Sequence, residues 1–472
     1  MKRITIDPVT RIEGHAKISL QLDEAGEVSA ARLHVTQLRG FESFTRGRPY
    51  YEMPGITSRI CGICPVSHLL ASAKACDAIM AVRIPAAAVL LRELVHMAQV
   101  VQSHALSFFY LSSPDLLLGL ESDPARRNVQ GVIDAHPELA LDGIALRTFG
   151  QNVIEALAGE RIHPAWITPG GVNSPMSADT RARLVTQLPQ ALAIAERTLC
   201  FFKGTIDRFE QEIAFFGSAP TMCAGLVGPE GALQLYEGGI RFRGANGTIV
   251  QDRVDATAYA SVVAEVSERD SYMKSPYYKP LGYPRGLYRV GPLARLNAAD
   301  RCGTPRADAA LAEFRARFGA VVHSAFLYHY ARLIEIVYAL ERMDALLGDA
   351  RILETRVRAH ADVNALDGVG MIEAPRGILI HHYTVNESGA IVSANLIVAT
   401  GHNSLAINHG ILQAARHFVH GDRLQEGMLN RVSAVVRAYD PCLSCSTHAS
   451  GMPALDIQLL DPEGAVIDEL RN

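Results

Sequence analysis

The chain is 472 residues long, yet it has only eight cysteines, one tryptophan and 20% charged residues, with a net charge of −4. So small a charge gives no basis for a polyanion-binding surface, and neither nucleic acid nor the membrane surface is an expected partner. Long apolar runs are also missing. The most apolar stretch, AIMAVRIPAAAVLLRELVHMAQVV, is broken by Arg83, Pro85, Arg92 and Glu93, and a membrane span needs roughly 18 or more uninterrupted apolar residues. The opening MKRITIDPVTRIEGHAKISL lacks an apolar core, so a secretory signal is not expected and a cytoplasmic location is. Without a signal, eight cysteines spread this thinly do not form a disulfide framework. There is no internal repeat, low-complexity segment or obvious linker. No G-x-G-x-x-G opens a helix after a strand, so a dinucleotide site on this chain is not expected.

The remaining composition, 49% hydrophobic with aromatics present, is that of a folded globular protein. Residues 1–35 read as strands, with KISLQLDEAGEVSAARLHV alternating around a Glu-Ala-Gly turn. From about residue 56 the period changes to that of helices. HLLASAKACDAIMAV and AAVLLRELVHMAQVVQSHALSFFYL are apolar nearly all round, as in the middle of a large helical body. Residues 180–216 and 306–347 give two further long helical patterns, and 225–305 reads as irregular structure with short strands. A second hairpin is expected over 377–400, turning at Asn386–Gly389, followed by a helix in NSLAINHGILQAARHFV. A third is expected near the end, turning at Asp461-Pro462-Glu463-Gly464. The expected fold is mainly α with β-hairpins (α+β), in one domain.

Two Cys-x-x-Cys pairs stand at opposite ends of the chain: RICGICPVSH (59–68) and DPCLSCSTH (440–448), each followed by a histidine. Four thiolates are soft ligands suited to zinc, copper(I), iron–sulfur clusters, or nickel and iron in a reducing site. Structural zinc knuckles lie roughly 12–20 residues apart, whereas Cys64 and Cys442 are 378 positions apart. A thioredoxin-like reading leaves one pair unexplained. A site joining both chain ends inside a helical body suits a buried catalytic centre better, but zinc stays open on the residues alone. Cys76, Cys200, Cys223 and Cys302 stand singly and read as buried small hydrophobes. Glu13 in RIEGH, Arg376 in APRG and Asp440 before Pro441 each have plain readings as surface or turn residues.

Taken together, RIEGH, RICGICPVSH, EAPRG and DPCLSCSTH resemble the large subunit of nickel–iron hydrogenases, over essentially the whole chain. SHALSFFYLSSPD, YRVGPLARLN and HYARLIEI look most like the soluble, bidirectional NAD-reducing subgroup; coenzyme F420-reducing and heterodisulfide-reductase-linked relatives share most of the motifs. The resemblance implies reversible heterolytic cleavage of H2 at a nickel–iron centre whose iron carries carbon monoxide and cyanide. Cys61 and Cys442 would be terminal nickel ligands, and Cys64 and Cys445 would bridge nickel and iron. His68 would stand behind a bridging sulfur, Glu13 would relay protons from Cys442, and Arg376 would overhang the open metal face, held by Asp440. Thr400 would hydrogen-bond a cyanide, while Glu42 and His448 would ligate magnesium. The chain departs from membrane-linked relatives in placing Ser103 of QSH where they have an aspartate. It also has VATGHN where they have a proline-containing stretch.

The resemblance further implies partners: a small subunit with iron–sulfur clusters, a diaphorase module with flavin and NAD, nickel-insertion chaperones and a maturation endopeptidase. The endopeptidase would cut between His448 and Ala449, leaving 1–448 as the catalytic domain and 449–472 as a maturation extension. While that extension is attached, His448 is expected not to settle as a buried ligand. A non-catalytic relative, like the quinone-site subunit of respiratory complex I, lacks the four cysteines.

Overall fold

A computed structural model of the chain describes residues 3–268, 271–420, 424–448, 456–460 and 466–471. The N-terminal strands β1 (Arg3–Ile6), β2 (Ala16–Leu22) and β3 (Val28–Val35) form one antiparallel sheet. Alternation puts Ile18 and Leu20 into the core, and Asp23 closes the hairpin by accepting from the Ala25 and Glu27 amides. The segment between β1 and β2, carrying RIEGH, runs against the other end of the chain.

The helical body begins with α1 (Pro65–Met80), whose first residue is a proline preset for the first helical turn. Then come α2 (Ala86–Leu106), α3 (Pro137–Ala158) and α4 (Ala178–Thr205). After a four-stranded sheet come α5 (Pro292–Ala298), α6 (Pro305–Phe318) and α7 (Tyr328–Gly348). Helices α2 and α7 are buried over most of their circumference, as their apolar sequences imply. Beyond Leu106, α2 continues as a wider π-helical stretch over Ser107–Ser112.

Two helical patterns divide. The 180–216 stretch is α4, a 3-10 turn at Ile206–Phe209 and a short helix at Glu210–Phe215. The 306–347 stretch breaks after Phe318, where Gly319 takes φ +99, a conformation open to glycine and closed to a continuing helix. The 225–305 region is more regular than its composition suggests. Strands β4 (Met222–Val227), β5 (Gly239–Arg243) and β6 (Ile249–Val254) pair antiparallel, and Tyr288–Arg289 adds a parallel edge to β4. Strands β7 (Val263–Ser267) and β8 (Lys274–Tyr278) form a separate ribbon.

The hairpin expected over 377–400 is present as β10 (Gly377–Val385) and β11 (Ile391–Ile397), with β9 (Asp367–Ala374) as a third strand. Ala374 pairs with Gly377, so Pro375 and Arg376 form the tight turn between β9 and β10. Helix α1 lies directly on this sheet. A Cβ on Gly370 would fall 1.9 Å from the Ala71 carbonyl oxygen, so only glycine permits the approach. Helices α8 (Ser404–Phe418) and α9 (Glu426–Tyr439) follow, and α9 ends at Asp440 with φ +55, which aspartate tolerates better than most residues. The third hairpin pairs Asp456–Leu460 with Val466–Arg471; its expected turn residues lie outside the described part.

Candidate metal centre

The two cysteine pairs meet in the interior. Cys64 caps the start of α1, and Cys442 precedes a single helical turn at Leu443–Ser446 that carries Cys445. Their sulfur atoms and that of Cys61 all lie within 4.8 Å of one another, and all four residues are buried and free of disulfides. Cys61 Sγ is 3.3 Å from Cys442 Sγ, Cys64 Sγ is 3.5 Å from Cys445 Sγ, and Cys442 Sγ is 2.8 Å from Cys445 Sγ. Four thiolates cannot share so small a dry volume without a cation. Hydrogen bonds from Cys442, Cys445 and Cys61 pull Cys64 well below the usual thiol range, while burial pushes Cys442 and Cys445 well above it. Such a set, soft, crowded and short of positive charge, fits a metal centre.

Glu13 stands beside it. Its Oε2 is 3.1 Å from Cys442 Sγ and accepts from the Ser444 amide at 3.0 Å, while its carbonyl accepts from the Leu443 amide. The approach depends on Gly14, where a Cβ would lie 2.8 Å from Leu443 Cβ and φ is +85. Arg11 anchors the same loop through Asp115 Oδ1 at 2.6 Å, and Arg437 holds the other oxygen of Asp115. Glu13 is half-buried, more open than a sealed relay would be.

Arg376 reaches the cluster from its turn. Its Nε donates to the Asp440 carbonyl at 2.6 Å, Nη2 to the Asp440 carboxylate at 3.1 Å, and Nη1 to Ser103 Oγ at 3.3 Å. Burial works against this guanidinium, but Asp440 and the sulfurs of Cys442, Cys64 and Cys61 hold its proton more tightly than usual. Cys64, His68, Pro375, Arg376, Thr400, Cys442 and Cys445 are among the residues lining one small cavity. Thr400 Oγ1 accepts from the Cys442 amide at 2.9 Å. His68 hydrogen-bonds His381 at 3.1 Å and is one of the groups that pull the Cys64 thiol down.

Glu42 accepts from the Leu396 amide and from Lys274 Nζ, both at 2.8 Å. Lys274 also holds Glu265 at 3.2 Å and Asn395 Oδ1 at 2.8 Å, so two carboxylates share one ammonium. His448 corrects one expectation. It is buried, at 3% exposure, although the C-terminal hairpin follows it. The Arg39 and Gly40 amides bind the Thr447 carbonyl and draw this end of the chain inward. Among the described residues neither ring nitrogen of His448 has a hydrogen-bond partner, and burial pushes its pKa down to about 3, which leaves a neutral imidazole at pH 7. Ala449, the other side of the expected cleavage site, lies outside the described residues.

Several residues here carry no local signal in the sequence: Lys274, Glu265, Asn395, His381, Tyr383 and Arg295. Arg295 is the most connected. Its guanidinium donates to both Glu335 oxygens, to Glu373 at 2.8 Å, and to the carbonyls of Ala374 at 2.8 Å and Pro375 at 2.9 Å. All five N–H donors are thereby used, and the turn bearing Arg376 is fixed. A charged residue amid the apolar GPLARLN and another in HYARLIEI were the available hints. Of the four single cysteines, Cys76, Cys223 and Cys302 are buried as expected, but Cys200 is exposed on α4. Its flank of the helix faces away from the core.

A family model described as nickel-dependent hydrogenase matches residues 39–126 and 241–448, and one described as HoxL-like matches residues 3–38. A vhu-encoded F420-non-reducing hydrogenase chain of Methanococcus voltae is 43% identical over 88% of this chain and 98% of its own length. The NAD-reducing hydrogenase HoxS subunit beta of Cupriavidus necator is 39% identical over 99% of both chains. The crystal structure of an NAD+-reducing [NiFe]-hydrogenase in the H2-reduced state superimposes with a TM-score of 0.92, at 46% identity, over 95% of this chain and 100% of that one. The chain belongs to the nickel-dependent hydrogenase family. Its fold is that of the large subunit, the family implies a nickel–iron centre, and the four buried cysteines form a cluster that could hold a metal ion.

Proposed function

We propose that this chain is the H2-cleaving subunit of an NAD(P)-linked hydrogenase, with Cys61 and Cys442 as terminal ligands of nickel and Cys64 and Cys445 as bridges to iron. When bound, that centre, with carbon monoxide and cyanide on iron, supplies the open redox-active position at which H2 is split heterolytically. The protein's part is to hold the position dry, charged and connected to a base. The 3.1 Å contact between Cys442 Sγ and Glu13 Oε2 carries the reading. A proton taken at the Cys442 sulfur has a carboxylate oxygen within hydrogen-bond reach, on a side chain half open to the exterior. Arg376, a fixed cation over the cavity, orients the reacting face, with Asp440 and Ser103 fixing its angle. Thr400 lines the same cavity and is the donor assigned to a cyanide.

Glu42 and His448 are assigned to magnesium. The excess carboxylate around Lys274 and an imidazole without a partner among the described residues support a hard divalent cation there. Maturation by an endopeptidase after His448, following nickel insertion by chaperones, would leave residues 1–448 as the working chain. Electrons leave through partners, first the small subunit with its iron–sulfur clusters and then a flavin diaphorase that reduces NAD, since Cys76, Cys200, Cys223 and Cys302 stand apart from one another in the sequence. A cytoplasmic location accords with nicotinamide as acceptor. Among the described residues no helix is long and apolar enough to cross a membrane.

The NAD assignment rests on the full-length HoxS relative and the solved NAD+-reducing structure. The F420-non-reducing relatives are comparably similar and keep a different acceptor as the second reading. Purification with the native partners, metal analysis and H2-dependent NAD+ reduction test the proposal. Nickel and iron in equal amounts with NAD+ reduction are expected. H2 activity that spares NAD+ would move the chain to the second reading, and stoichiometric zinc would sink the proposal.

A further inference from the structure

Helix α1 presents a polar ladder on an otherwise apolar body. His68, Ser72 and Cys76 recur every fourth residue from the capping Cys64, so all four line one face. Across from it, His381 and Tyr383 stand two apart on β10 and so project to the same side of the sheet. All six are buried. His68 Nδ1 is 3.1 Å from His381 Nε2, His381 Nδ1 is 2.5 Å from the Tyr383 hydroxyl, and that hydroxyl is 2.9 Å from Ser72 Oγ. At the far end the Cys76 thiol donates to the Tyr50 carbonyl at 3.2 Å. Gly368 and Gly370 make the ladder possible by letting the helix backbone rest on the sheet.

We propose that His381 and Tyr383 are positioning residues that decide which nitrogen of His68 carries the proton, and hence whether His68 donates a hydrogen bond to the Cys64 sulfur. The proposal rests on the reading of Cys64 as a metal ligand. A neutral imidazole has one donor and one acceptor. A row of two imidazoles with one ring proton each therefore allows only two consistent arrangements. In one, Tyr383 donates to His381 Nδ1, His381 Nε2–H donates to His68 Nδ1, and His68 Nε2–H is left for the sulfur. In the other every bond is reversed, and His68 turns a lone pair toward Cys64. A ligating cysteine is a thiolate and can only accept, which selects the first arrangement. The phenol proton, which can also go to Ser72 Oγ, is then committed to His381 Nδ1 and supplies the donor at the head of the row. No group gains or loses a proton; only the tautomer is set. A donated N–H would withdraw charge from the Cys64 sulfur and raise the reduction potential of a metal held by it.

Tyr383→Phe in the metal-loaded complex removes the head donor and leaves the ring in place. Two readouts besides turnover are expected to move. In 15N-histidine-labelled protein, His68 should be the Nε2–H tautomer in the parent and lose that fixed state in the variant. The potential at which the nickel EPR signal titrates should fall. His381→Gln supplies an amide donor that does not depend on Tyr383, so in that background adding Tyr383→Phe should change neither readout. An unchanged tautomer and potential in Tyr383→Phe, or an equal shift in both backgrounds, would overturn the proposal. A parent protein without nickel and iron would overturn the metal reading instead. The tautomer comparison would still decide the coupling, because it is read on the histidine nitrogens with or without metal.

Discussion

The Cys442 sulfur and the Glu13 carboxylate meet at 3.1 Å although 429 positions separate them in the chain. The same carboxylate oxygen takes the Ser444 amide, and the Glu13 carbonyl takes the Leu443 amide, so backbone as well as side chain holds the pair together. A base placed this way works through the proton it accepts. Glu13→Gln keeps an oxygen for the Ser444 amide but cannot carry that proton onward. Nickel and iron content should be unchanged, while exchange between D2 and water protons should fall by about 10²–10⁴-fold. Retained exchange in a fully loaded variant would reject the relay.

Cys442→Ser tests the cluster itself. A serine hydroxyl is a poor ligand for a soft metal and stays protonated in a buried site. The variant should fold, because Cys442 contributes little packing that serine cannot match, and it should lose both nickel and H2 activity. Metal analysis of the purified chain is the deciding measurement. Full nickel occupancy with serine at 442 would remove this residue from the ligand set.

Much of the site could be read from the sequence, and the reason is local. Cys61 with Cys64, and Cys442 with Cys445, announce themselves by spacing, and RIEGH, APRG and VATGHN mark Glu13, Arg376 and Thr400 once the pattern is recognised. What escaped is held by long-range contact alone. Lys274 in YMKSPYY belongs to no motif, yet it neutralises Glu42 from 232 positions away. His381 and Tyr383 fall inside the expected second hairpin with no motif to single them out, and nothing local marks Gly368 and Gly370. Their meaning emerges only when α1 lies on the sheet. The four-stranded sheet within 222–289 escaped because its strands are short and one pairing is parallel across a long connection.

Arg376 is tied down by fork geometry, and lysine cannot copy it. Arg376→Lys keeps a positive charge but not the simultaneous bonds to the Asp440 carbonyl, the Asp440 carboxylate and Ser103. The metal centre should still load, and H2 turnover should drop by about 10²–10³-fold, the cost of a misplaced electrostatic group. Arg376→Leu should act differently. It leaves Asp440 buried and without its counter-charge, which destabilises by about 3–5 kcal/mol and should appear as a lowered melting temperature.

The Arg295 cluster makes stability depend on pH from both sides. One guanidinium faces two carboxylates, and burial keeps the neighbouring His104 down at about 4, so full ionisation would leave one uncompensated negative charge in a dry interior. Burial and Glu335 together raise Glu373 to about 7, against the pull of Arg295 and the Leu226 amide. Burial opposes the charge on Glu335 too, but Arg295 and His104 overcome it and hold this carboxyl at about 2. An unfolded glutamate titrates near ~4.3. Glu335 therefore adds stability that is present above that value and lost as pH falls toward 2. Glu373 acts in the opposite sense: its contribution is complete below the unfolded value and is lost as pH rises through 7, by about 1.4 kcal/mol per pH unit once both states have diverged. Glu373→Gln removes the second dependence. The amide gives up one of the two bonds the carboxyl accepts, from Arg295 and from the Leu226 amide, so the absolute melting temperature should drop. The decline in stability as pH rises from the unfolded value toward 7 should flatten relative to the parent. Thermal melts of both proteins from mildly acidic to neutral pH decide it: parallel curves would mean that Glu373 is ionised throughout and that the proton resides elsewhere in the cluster.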